Sequence, residues 1–163
     1  MNAAHFHLLV NHLPIMFPLI GGIVFAVGLF FKNEPIKRTS FFIILLGGIS
    51  TALAMFSGEG AEEIAEKIPG ITKKIIHNHE EAAEVFALLN YILALLAGFN
   101  LWASLKAKLY AKYLNYAIIA GLLIVLFLAK QTGTSGGEIR HTEIREGGNI
   151  GTQESGVSDQ HEE

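Results

Sequence analysis

Imidazole and carboxylate are the side chains of this sequence best suited to chemistry. The 163 residues include seven histidines, at positions 5, 7, 12, 77, 79, 141 and 161, and no cysteine. Without thiolates there is no disulfide, no thiolate zinc site, no cysteine-held iron–sulfur cluster and no covalent c-type haem attachment. Imidazole ligation remains, alone or mixed with carboxylate, and it suits b-type haem, zinc, iron or copper. The acids gather where histidines do. Residues 57–86 hold seven of the fifteen acidic residues, together with His77 and His79. Glu59, Glu62, Glu63 and Glu66 follow the i, i+3, i+4, i+7 spacing that places them on one helix face. Such a face can bind a hard cation, back up a ligating imidazole, or simply meet water at a membrane edge. Glu59 and Glu63 lie nearest the preceding apolar run and are the carboxylate candidates.

The elements that must position these groups are helices. Hydrophobic residues make up 51% of the chain and the mean hydropathy is positive, +0.41, which fits a membrane protein. Four apolar runs can each cross a bilayer core of about 30 Å. They predict spans at 13–31, 39–57, 79–105 and 113–130. The expected fold is all-α: an integral-membrane four-helix bundle over residues 1–146, with an interfacial helix between the second and third spans. Pro69-Gly70 should end that interfacial helix. Residues 147–163 read as a flexible polar tail. No Lys or Arg precedes the first run, so it reads as a permanent span.

Local signals refine these boundaries. Asn11 or Leu13 caps the first span, with Pro14 in its first turn, and Pro18 should bend it. Gly21-Gly22 and Gly47-Gly48 invite close helix approach. Gly58 reads as the residue that ends the second helix. The third helix starts either at Asn78, with Glu81 completing a capping box, or near Thr72 with His77 inside it. The stretch from Thr132 to Gly137 should break the fourth helix.

Charge sets the expected orientation. The two short loops hold six Lys and Arg in fourteen residues against a single acid, Glu34. The positive-inside rule puts them in the cytoplasm. Both termini and the acidic central loop then face the periplasm or exterior, and all seven histidines fall on that side. The expected location is the bacterial inner, or plasma, membrane.

Individual candidates follow from helical register. His12 opens the first span, with His5 seven residues back on nearly the same face, while His7 projects elsewhere. Positions 79, 83, 86, 90, 93, 97 and 100 form one stripe: His, Ala, Phe, Asn, Leu, Ala, Asn. Asn90 and Asn100 should face the bundle interior, so His79 should too. His77, Glu81 and Glu84 project away. His141 follows Arg140, whose guanidinium can pair with a carboxylate or a haem propionate. Each histidine also has a plain alternative as an interfacial or internally hydrogen-bonded side chain. There is no P-loop, dinucleotide fingerprint or nucleophile elbow. His79-Glu80 does not begin HExxH, because position 83 is Ala. Nothing points to nucleic acid.

Four motifs occur in order: His12-Leu13-Pro14 with Pro18; Gly58-Glu59 with Ala61-Glu62-Glu63; His79-Glu80-Glu81-Ala82-Ala83; and Gly136-Gly137-Glu138-Ile139-Arg140-His141. Together they resemble a bacterial family of uncharacterised four-span inner-membrane proteins. Some relatives are fused to Rieske iron–sulfur or c-type cytochrome domains, and the resemblance implies redox work at the outer face. This sequence contains no such domain, so its electron partner would be a separate protein.

Three functions fit these residues. The first is electron transfer by b-type haem held by His12, His79 and His141 with Arg140, in exchange with quinol or a periplasmic cytochrome. The second is a zinc, iron or copper site of His12, His79, His141, Glu59 and Glu63. The third is a structural subunit of a larger membrane complex. The orientation common to all three is testable. A reporter active only in the cytoplasm should be silent when fused after Glu163 and active when inserted between Lys106 and Lys112. The opposite pattern overturns the assignment of sides.

Overall fold

The computed structural model describes residues 2–145, which are helical with no strand. The order is α1 (Ala3–Val10), α2 (Leu13–Phe30), α3 (Glu34–Ala65), α4 (Lys73–Leu105) and α5 (Ala111–Arg140), then one 3-10 turn, Thr142–Ile144. Four helical stretches are long and apolar enough to cross a membrane: α1 with α2, then α3, α4 and α5.

Proline and short polar side chains set the helix ends. Pro14 offers no N–H to the Val10 carbonyl, and its ring crowds that oxygen, so the helix breaks at Asn11-His12. Asn2, Asn33 and Thr72 cap α1, α3 and α4 by accepting from the N–H groups of His5, Ile36 and Ile75. The two tight turns are built alike. Lys32 and Ala107 take positive φ, 49° and 51°. The next residues, Asn33 and Lys108, donate back to Gly28 and Ala103, each at 2.9 Å. These paired caps reverse the chain sharply after α2 and after α4.

Neighbours in sequence pack as neighbours in space: α2 on α3, α3 on α4, α4 on α5, with α5 returning to α2 and α1 lying on α3. The core runs through Phe25, Phe41, Ile44, Phe86, Leu93, Ile118, Leu122 and Val125. Large apolar side chains also cover the outside, among them Phe56, Leu88, Leu95, Leu123 and Phe127. An apolar exterior around an apolar core is the distribution a lipid environment favours. The expected glycine contacts form. A Cβ on Gly21 would meet Ile44 at 2.6 Å, and one on Gly48 would meet Ala94 at 2.5 Å.

A polar clamp ties three helices together at mid-bundle. Pro18 lies inside α2 and cannot donate to the Pro14 carbonyl four residues back. Asn90 of α4, fully buried at 0% exposure, supplies the missing donor. Its Nδ2 donates to Pro14 O at 3.2 Å and to Thr51 Oγ1 of α3 at 2.8 Å. The Thr51 hydroxyl in turn donates to Gly47 O at 2.8 Å.

Several expected boundaries need correction. α3 runs unbroken from Glu34 to Ala65, so Gly58 does not end it and the acidic stripe is not a separate interfacial helix. The stripe occupies the last turns of α3, where α1 packs against the same helix and supports it. α5 likewise continues through Thr132 to Gly137 and ends at Arg140. Its Thr132 hydroxyl donates to Ala82 O of α4 at 3.0 Å, which anchors this glycine-rich stretch. Of the two starts weighed for the third helix, Thr72 is the one observed, with His77 inside. Residues 147–163, expected as a tail, lie outside the described residues.

The clamp predicts a coupling. Asn90→Leu leaves Pro14 O unpaired and should cost about 1–3 kcal/mol in detergent unfolding. In a Pro18→Ala background the helix supplies its own N–H, so the same substitution should cost measurably less. Equal costs in both backgrounds would show that Asn90 does not serve the proline.

Candidate functional site

Two half-buried histidines lie at the end of the bundle opposite the tight turns. The first comes from α1. Docking of α1 on α3 depends on Ser57-Gly58-Glu59-Gly60. A Cβ on Gly60 would lie 2.7 Å from that of Ala3, so only glycine lets the helices approach this closely. One turn further along α1, His7 lies over Gly58 and places Nδ1 2.9 Å from Ser57 Oγ. The second histidine comes from α4. His79 places Nδ1 3.0 Å from Ser135 Oγ of α5. Gly136 leaves room for its ring, since a Cβ there would stand 3.0 Å from His79 Cε1.

The serines identify the protonated nitrogen. Each hydroxyl has one hydrogen, and each directs it to a backbone carbonyl: Ser57 to Ala54 O at 3.0 Å, Ser135 to Thr132 O at 3.1 Å. Each serine oxygen is therefore the acceptor toward its histidine. By this network both imidazoles carry hydrogen on Nδ1 and keep a lone pair on Nε2. The rings lie within electrostatic reach of one another. Two neutral imidazoles with free Nε2 atoms can accept protons or donate to a metal.

The interior stripe forms as its spacing predicts. Phe86, Asn90, Leu93, Ala97 and Asn100 are buried, and His79 and Ala83 are half-buried above them. His77 is exposed, 3.7 Å from Glu80 and 3.3 Å from Glu81. The other candidates stay apart. His12 is exposed and hydrogen-bonded to its neighbour Asn11. His141 is exposed and pairs with Glu143 at 2.9 Å. The Glu143 carboxyl is held below its usual range by its own backbone N–H and by His141. Arg140, Glu59 and Glu63 are exposed. Among the described residues, no three His, Asp or Glu side chains gather closely enough to hold a metal ion. His161 lies outside the described residues.

The structure adds residues that register counting passes over. His7 was expected to project elsewhere, because its phase was counted through α2. The break at Asn11-His12 interrupts that phase and lets α1 lie along α3. Ser57-Gly58-Glu59-Gly60 was the available signal, a hydroxyl and two small residues on a surface that a helix could approach. Arg145, rather than Arg140, organises the segment after α5. It donates to Glu138 O, Ile139 O and Gly70 O at 2.7, 3.1 and 3.0 Å, tying this segment to the turn between α3 and α4.

No family model, curated protein or solved structure matches the chain.

The docking of α1 can be tested directly. Gly60→Leu should displace α1 and raise amide exchange in residues 3–10, while the mid-bundle parts of α3, α4 and α5 keep their protection. Unchanged exchange in α1 would show that this contact does not hold His7 in place.

Proposed function

We propose that this chain is a multi-pass membrane protein that holds b-type haem between His7 and His79 and passes electrons at that end of the bundle. The observation that carries the reading is the pair of imidazoles, each bound to a serine through Nδ1 and each with Nε2 unpartnered among the described residues. The donor set favours haem over a bare ion. A porphyrin brings four nitrogens and asks the protein for axial ligands alone. A bare zinc ion takes three or four protein donors, and no such group forms among the described residues. In this reading His7 takes the place expected for His12, and His141 with Arg140 stays outside the ligand set.

The roles of the other residues follow. Ser57 and Ser135 fix the tautomer and orientation of the two rings, as acceptors behind ligating histidines do. Gly58 and Gly136 keep side chains away from the ring edges. Phe86 and Asn90, further along the His79 stripe, close the inner side against water. Bound haem would supply a reversible one-electron couple. The partner is a quinol from the bilayer or a soluble cytochrome, and the positive-inside rule places the site on the outer face.

The absorption spectrum and metal content of one purified sample test this reading. A Soret band is expected after expression with ample haem. It should vanish in His7→Ala and His79→Ala and persist in His77→Ala and His12→Ala. A stoichiometric transition metal without porphyrin would replace haem by a metal site. Neither cofactor, with other membrane subunits co-purifying, would make the chain a structural subunit.

A further inference from the structure

The opposite end of the bundle holds a second site, independent of the histidines. A cavity of about 330 Å³ opens between the two tight turns. Its wall includes four cations, Lys37, Arg38, Lys108 and Lys112, against one carboxylate, Glu34. Glu34 is already engaged. It pairs with Lys37 at 2.5 Å and accepts from Ser104 Oγ at 3.4 Å. Arg38 is held in position by Ser104, donating through Nε to its Oγ at 3.0 Å and through Nη2 to its carbonyl at 2.8 Å. Its Nη1 remains available. Among the described residues, Arg38, Lys108 and Lys112 have no carboxylate within ion-pairing distance. The first turn of α5 adds to the positive field, because Ala111 and Lys112 line the cavity and Tyr110 gives no side-chain cap.

An unpartnered polar group gives the second clue. Asn100 lines the same cavity and is 1% exposed. Its Nδ2 donates to Asn115 Oδ1 at 2.8 Å, but its own Oδ1 meets no donor. A buried amide oxygen left alone costs about 1–3 kcal/mol. Anion alone would not satisfy it, since a carbonyl oxygen accepts and does not donate. The cavity therefore offers two complementary features in its wall: cations with no carboxylate partner among the described residues, Lys112 lying 4.9 Å over the Tyr113 ring, and the lone acceptor Asn100 Oδ1.

We propose that this cavity binds a phosphate ester carrying a neighbouring hydroxyl, the chemistry of a glycerol phosphate. The phosphate meets Arg38, Lys108 and Lys112, which donate charge-assisted hydrogen bonds. The hydroxyl donates to Asn100 Oδ1. The same chemistry comes from two sources, the headgroup of an anionic phospholipid and a soluble phosphate ester. Its position at a bundle end, beside exposed Leu105 and Leu109, suits either one.

Full-length protein in detergent tests the proposal through titrations followed by thermal unfolding and native mass spectrometry. Phosphatidylglycerol should bind saturably and phosphatidylcholine should not. Phosphatidylmethanol has the same charge and lacks the hydroxyl, and it should bind more weakly than phosphatidylglycerol. The variant carrying Lys108→Gln and Lys112→Gln alters exposed positions and should lower the affinity about tenfold or more. Saturable binding of soluble glycerol 3-phosphate would support the site with a free ester as its source. Binding of phosphatidylglycerol alone would support it with lipid as the source. Binding of neither, equal binding of phosphatidylcholine, equal binding of phosphatidylmethanol, or an unchanged affinity in the lysine variant would overturn it.

Discussion

Pro18 leaves the Pro14 carbonyl without its helical partner, and Asn90 answers it from another helix. This exchange fixes the register of the bundle. A free carbonyl in an apolar interior is expensive, so α4 must present Asn90 at that height and angle. The second Asn90 N–H reaches Thr51, which brings α3 into the same layer. Three helices are thus aligned by one side chain. The glycine contacts, Gly21 with Ile44 and Gly48 with Ala94, then set how closely they pack. His79 lies about three turns from Asn90 on the same face, so the clamp also sets the depth and direction of that imidazole.

The two ends of the bundle differ in chemistry because they differ in how the chain turns. At one end, paired caps at Lys32 and Ala107 reverse the chain within a few residues. That compactness crowds Lys37, Arg38, Lys108 and Lys112 around one cavity. At the other end α3 and α4 extend well past the core, and the turn between them is longer. The extension gives α1 a surface to lie on and brings His7 toward His79. Arg145 closes this end by holding the segment after α5 to Gly70.

Hydrophobic runs and the 3.6-residue period made much of this legible. Four apolar helices, the inward stripe from His79 to Asn100 and the outward side of His77 all follow from spacing, and all appear in the structure. Within one unbroken helix, register is a property of the chain alone. The same logic failed where helices break or fail to break. His7 was given a direction through Asn11-His12, where the helix breaks. Gly58 and the Thr132–Gly137 stretch were read as terminators, although propensity yields there to the helices packed alongside.

The sequence by itself therefore determined the helices, the stripe and the separation of the basic short loops from the segments that carry the histidines, because each depends on composition or local period. Only the tertiary structure decided which groups meet. His12, His79, His141, Glu59 and Glu63 share one end of the chain's path, yet they point to different surroundings. His7 with Ser57 and His79 with Ser135 are contacts between residues 50 and 56 positions apart. No local rule carries that pairing. It is set by the close approach of α1 to α3 at Gly60 and of α5 to α4 at Gly136, where the missing Cβ atoms leave space for a neighbour.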